Sequence, residues 1–157
     1  MTNDKSPRWL SREQQDAWVA LITMMTTLPT ALEAQLRRDA GLSRVEYNVL
    51  SWLSMRPEHT GRMSEVAELA NVTLSHLSRV ASRLEDRGWI QRCPHPVDGR
   101  ATLARLTATG WEKVVASAPG HAEEVQRLVF DRLDPAQVDQ LRTIASCIVD
   151  GLPPRRP

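Results

Sequence analysis

The stretch that most constrains this chain is residues 73–87, TLSHLSRVASRLEDR. Leu74, Leu77, Val80, Ala81 and Leu84 recur at steps of three and four, which puts them on one face of a helix. Thr73, Ser75, His76, Ser78, Arg79, Ser82 and Arg83 take the rest of the circumference, with no acid before Glu85. A merely solvated face would mix Glu and Lys at i, i+4 spacing. Small hydroxyls beside arginines instead let a helix sit close to a surface that accepts hydrogen bonds, and a DNA major groove is such a surface.

The segments around this helix agree with that reading. Ser64 is expected to cap a preceding helix that buries Val66, Ala67, Leu69 and Ala70. Asn71-Val72-Thr73 then makes a tight connection, with Thr73 capping the polar-faced helix. Two helices joined this closely form a helix-turn-helix pattern. Upstream, Ser43-Arg44-Val45-Glu46 has capping-box form and opens a short helix burying Val45, Val49, Trp52 and Leu53. Residues 56–61 read as a turn. Downstream, Gly88 supplies a left-handed helix end. Residues 89–93 and 101–106 read as two short strands, with Leu103 and Ala101 turned inward. The intervening PHPVDGR is stiffened by Pro94 and Pro96 and turns at Asp98-Gly99. The pair makes a β wing with Arg100 near its tip.

Longer helices flank this unit. Ser11 starts a first helix whose stripe is Trp18, Leu21, Ile22, Met25, Leu28 and Leu32. Pro29 is expected to kink or interrupt it, and Gly41 to end it. Thr107 caps a further helix, with a kink or break expected at Pro119-Gly120. Asp134-Pro135 starts a last helix carrying Val138, Leu141, Ala145, Ile148 and Val149. These terminal stripes have no partner within a small winged domain, and a second copy of the chain would bury them.

Net charge, +1, says little about partners, but its distribution does. Between residues 73 and 105 six arginines (79, 83, 87, 92, 100 and 105) face Glu85, Asp86 and Asp98. Between 123 and 150 the balance reverses, with six acids against Arg127, Arg132 and Arg142. A basic middle beside an acidic tail points the middle at a polyanion. Two cysteines, Cys93 and Cys147, make no disulfide framework, so a reducing, cytoplasmic location is expected. The opening MTNDKSPRWL lacks an apolar signal core, and no apolar run is expected to be long enough to span a bilayer. The four histidines show no metal-ligand spacing, so neither a metal nor another cofactor is expected. Ser75 and His76 are adjacent on a helix and diverge, which argues against a nucleophile–base pair and against an enzyme.

The run DRGWIQR, then VDGR, then LARLTATG resembles the MarR family of bacterial transcriptional regulators, on Asp86, Arg87, Gly88, Ile90, Arg92, Asp98, Arg100, Leu106, Thr107 and Gly110. Leu77-Ser78-Arg79 also looks like that family's recognition helix, and the helix order matches over roughly residues 11 to 150. The resemblance implies a mainly α fold: a winged helix-turn-helix with a two-stranded β wing and N- and C-terminal dimerisation helices. It implies a homodimer that binds double-stranded DNA at a near-palindromic promoter site, most often as a repressor. In many members a small aromatic or lipophilic effector loosens the DNA complex.

The site expectations follow. Arg79 is the first choice for base reading, with a phosphate contact as its alternative. Thr73, Ser75, His76 and Ser78 lie at the helix end that approaches base edges. Arg83 is expected at phosphate, or else in an ion pair with Glu85 or Asp86. The resemblance puts Arg100 in or near the minor groove and has Asp98 hold the wing by pairing with Arg92 or Arg87. His95 is assigned a DNA backbone contact. Trp18, Tyr47 and Trp52 are candidates for an effector pocket, with ordinary core packing as the alternative. Cys93 is taken as an idle thiol. The expected organisation is a flexible start over 1–10, one domain over 11–150 and a disordered tail over 151–157. Within the domain, 43–106 is the winged unit, and 11–40 and 107–150 are dimerisation helices. The competing reading is a winged-helix protein-interaction module without specific DNA binding. Such a helix would show a Leu or Phe stripe where this one has serines.

Overall fold

Helix starts in this chain are marked by side-chain oxygens. Ser43, Thr73, Thr107 and Asp134 each accept a hydrogen bond from the backbone amide three residues on. Each satisfies an amide that has no partner inside its helix. Ser43 and Asp134 complete reciprocal capping boxes with Glu46 and Gln137. The computed structural model describes residues 7–153. Its elements are α1 (Arg12–Ala40), α2 (Arg44–Ser54), β1 (Thr60–Arg62), α3 (Met63–Ala70), α4 (Leu74–Asp86), β2 (Ile90–Pro94), β3 (Thr102–Leu106), α5 (Ala108–Leu128) and α6 (Pro135–Asp150). The flexible start and tail expected over 1–10 and 151–157 lie in part outside the described residues. Residues 7–10 carry no regular structure.

The chain divides into two units, residues 1–31 and residues 32–157. In the first, α1 displays Trp18, Val19, Met24 and Met25 as exposed side chains. Pro29 does not break α1, whose helical run is continuous. Nearby threonine hydroxyls return to backbone carbonyls: Thr27 to Thr23 and Thr30 to Thr26. The expectation that nothing here could span a bilayer is corrected. An 18-residue window of α1 has mean hydropathy 1.2, enough by length and composition. Thr23, Thr26, Thr27 and Thr30 interrupt its apolar residues, so no single run stands out.

The second unit holds the core. Leu36, Leu42, Leu50, Leu53, Leu77, Val80 and Leu84 are fully buried, joined by Ile90, Ala104 and Leu106 from the sheet. The wing sheet has three antiparallel strands in the order β1-β3-β2, not two. The end of the turn expected over 56–61 is instead part of β1, which pairs Thr60 with Arg105, Gly61 with Ala104 and Arg62 with Leu103. A three-residue TGR segment carries no alternation to reveal a strand; the edge of β3 makes it one. The facing of β3 is also corrected: Ala104 and Leu106 point into the core, while Leu103 and Ala101 are only half-buried. The cap of α3 shifts as well. Its helix starts at Met63 behind Arg62, with no side-chain cap bond, because the chain comes straight out of β1. Pro119 sits inside an unbroken α5.

Candidate nucleic-acid interface

Helix α4 lies behind a turn closed by Asn71, whose left-handed backbone (φ 55°) ends α3. Asparagine tolerates that conformation better than other residues with a Cβ. Thr73 accepts the His76 amide at 3.2 Å and starts α4 at once. Leu77, Val80, Ala81 and Leu84 are completely buried, so the axial rotation of α4 is fixed. That rotation leaves Thr73, Ser75, His76, Ser78 and Arg79 exposed together.

Leu74 departs from the expectation. It was placed on the buried stripe, yet it is 54% exposed. As the first residue of α4 it lines a cavity of about 420 Å³ between α3, α4 and the wing, with Ser78, Arg62, Arg92, Asp98 and Arg100 around the same space. Sequence spacing put Leu74 in register with Leu77 but could not show that the core ends one turn short of it.

The wing loop is built on His95. Its Nδ1 accepts the amides of Val97 and Asp98 at 3.2 and 3.1 Å, and its own amide donates to the Ala101 carbonyl at 2.9 Å. The Arg62 guanidinium lies 3.3 Å from His95 Nε2. Asp98 accepts the Arg100 amide at 3.2 Å and meets Arg62 at 3.8 Å. The expected pairing of Asp98 with Arg92 or Arg87 is therefore corrected. Arg62, which sequence reasoning missed, is its partner, because β1 lies beside β3 and brings residue 62 up to the loop. His95 braces the loop from inside. Arg100 is exposed at its tip.

Arg92 ties the wing to α4. Its Nε and Nη2 donate to Glu85 at 2.9 and 2.7 Å, its backbone amide donates to the other Glu85 oxygen at 2.9 Å, and Nη2 reaches the Ser82 hydroxyl at 3.1 Å. The Arg92 amide, then its guanidinium, hold the Glu85 carboxyl below the usual carboxylate range. Arg87 stacks 5.0 Å over the Trp89 ring and donates to the Gly41 carbonyl at 3.3 Å. Arg83, whose expected ion-pair partner is Glu85 or Asp86, instead pairs with Glu46 at 3.2 Å. That partner lies 37 residues away in sequence, beyond the reach of any local spacing rule.

The effector-pocket candidates fall in different units. Trp18 is exposed in the first unit. In the second, Tyr47 is buried with its ring 4.5 Å from that of His121, and Trp52 is half-buried. Cys93 is half-buried and Cys147 exposed, both as free thiols. Among the described residues no group of His, Cys, Asp and Glu has metal-holding geometry.

A tight helix pair, a second helix with a polar basic outer face and an adjacent three-stranded wing define a winged helix-turn-helix DNA-binding protein. Comparison with known proteins carries this to a family. The model of the MarR family matches residues 42–102. Sco3205, a MarR family transcriptional regulator from Streptomyces coelicolor with a crystal structure in complex with DNA, is 41% identical. The match covers 96% of this chain and 94% of that one, with a TM-score of 0.90. AbsC, a MarR family regulator from the same organism, is 30% identical over 92% of this chain and 97% of that one, with a TM-score of 0.86. The HTH-type transcriptional repressor IacR of Pseudomonas putida is 25% identical over 118 residues, 71% of this chain and 68% of its own length. The chain belongs to the MarR family: it is a DNA-binding transcriptional regulator, and its relatives are regulators rather than enzymes.

Proposed function

We propose that the protein is a cytoplasmic homodimeric repressor that reads a near-palindromic promoter site with α4 and grips the flanking minor groove with Arg100. The observation that carries this reading is the exposed row Ser75, Ser78 and Arg79 on one face of α4, beside a wing whose tip carries Arg100. Ser75 and Ser78 are short enough to let the backbone approach base edges, and an arginine at 79 can bridge O6 and N7 of guanine. Asp98 is turned back to Arg62, which keeps its charge off the phosphates.

The dimer is supported by apolar surface with nothing to cover it. Trp18, Val19 and Met25 on α1 are exposed, and so are Ile144, Ile148 and Val149 on α6. A second copy would bury each set, and the two-fold axis would then make the binding site palindromic. Repression is supported by the name of the Pseudomonas putida relative. Release by a small aromatic or lipophilic effector belongs to the same proposal, with Tyr47 and Trp52 on α2 as the aromatic side chains for it to meet.

Selection of duplexes from a random pool tests the proposal. It predicts an inverted repeat with half-sites about one helical turn, roughly 10 base pairs, apart. Selected sequences without two-fold symmetry would contradict the dimer. Transcription in vitro from a promoter bearing the selected site should fall on adding the protein, and adding small aromatic acids should restore it.

A further inference from the structure

The arginines of α4 divide into two kinds. Arg79 points outward and is exposed. Arg83 lies one turn further on, with its Nε 3.2 Å from Glu46 Oε1 and its Nη1 3.5 Å from the Arg79 carbonyl. The side chain therefore lies back against its own helix rather than reaching out. Glu46 cannot follow it into solvent, being 95% buried (5% exposed), with its other oxygen accepting the Ser43 amide at 2.8 Å in the capping box of α2. Burial works against its charge, but the Ser43 amide, Arg83, the Ser43 hydroxyl and Arg87 outweigh it and hold the carboxyl below its ordinary value. One turn beyond Arg83, Arg87 donates to the carbonyl of Gly41, the left-handed residue (φ 63°) that ends α1. The C-terminal half of α4 is thus tied at two points to the corner where α1 stops and α2 begins.

We infer that Arg83 is a positioning residue: through Glu46, and alongside Arg87, it sets the angle at which Ser75, Ser78 and Arg79 meet base edges, and it does not bind phosphate. Turning Arg83 to a phosphate would leave a nearly buried carboxylate without its cation, and an unpaired buried charge costs more than a solvent-exposed contact returns. The inference rests on α4 being the reading helix.

The test is a binding titration of the full-length protein at several salt concentrations. The probe is a duplex that the wild-type protein selects from a random pool. The variants are Arg83→Gln, Glu46→Gln and the double substitution. Glutamine at 46 keeps the capping box, which accepts Gln as well as Glu, and thermal melting checks that each variant is folded. A positioning pair predicts that all three variants weaken binding by about the same factor, roughly five- to tenfold for a half-exposed pair, and leave the salt slope unchanged. A phosphate contact predicts otherwise. Arg83→Gln would lower the slope by about two units for a dimer, and Glu46→Gln, which frees Arg83, would tighten binding. That pattern, additive losses, or no loss in any variant would overturn the inference. Wild-type protein that selects no preferred duplex would instead remove the assignment of α4, and the inference with it.

Discussion

At the residue scale, the proposed reading of DNA rests on which arginines are exposed and not held by partners. Arg79 and Arg100 are exposed, whereas Arg83, Arg87 and Arg92 are engaged with Glu46, the Gly41 carbonyl and Glu85. Arg79→Ala should lose about 1–3 kcal/mol of discrimination between the selected site and a variant at one base pair, the range for a bidentate contact. Competition binding against single-base variants measures it. An equal loss on every sequence would make Arg79 a phosphate contact. Arg100→Ala should weaken binding and lower the salt slope by about two units per dimer, and an unchanged slope would take the wing off the DNA. The exposure of Arg79 and Arg100 was legible in the sequence because it follows from local pattern: a helix face and a loop tip. Arg62 and the Arg83–Glu46 pair were illegible because each joins segments far apart in the chain. Leu74 was misread because periodicity shows which side chains share a face, not where the core beneath that face ends.

At the scale of elements, helices were readable from caps and stripes, and the sheet only in part. Asp98-Gly99 marked the loop between β2 and β3, but β1 became a strand through its neighbour. The junction of the sheet with α5 has its own signal. Thr107 caps α5 at the Gly110 amide and donates to the Gly88 carbonyl at 2.6 Å. A Cβ at Gly110 would collide with the Trp89 carbonyl and with Leu106 Cδ1, so only glycine lets the first turn of α5 sit against the end of α4. Gly110→Ala should cost about 1–3 kcal/mol by denaturant unfolding, the range for overpacking; an unchanged midpoint would refute the close approach. A second junction titrates. His121 donates to Gln35 Oε1 at 3.2 Å beside the Tyr47 ring, and burial pushes its imidazole below the ordinary value. The unfolded state therefore takes up its proton first, at about pH 6.5. Stability from the neutral ring is complete above that pH and declines as pH falls towards the lower folded value. His121→Gln, which keeps a donor for Gln35, should flatten the melting temperature between pH 7 and pH 5 (~2 pH units spanning the imidazole range). An equally steep decline in the variant would place the titration elsewhere.

At the scale of the whole molecule, the core joins the winged unit to Leu36 of α1, to Leu42 and to Val114 of α5, while α1 and α6 also display apolar side chains to solvent. That surface supports the proposed homodimer. Ile148→Glu should give monomers in sedimentation and abolish tight binding to a two-fold site while leaving the winged unit folded. A dimer of undiminished affinity would remove α6 from the interface. The central claim is that α4 reads sequence rather than clinging to phosphate. It is tested most directly by titrating the wild-type protein with its selected duplex and with a scrambled duplex of the same composition, across a range of salt. A reading helix predicts a preference of about a thousandfold or more, with a steep salt slope on both duplexes. Equal, weak binding to the two would contradict it.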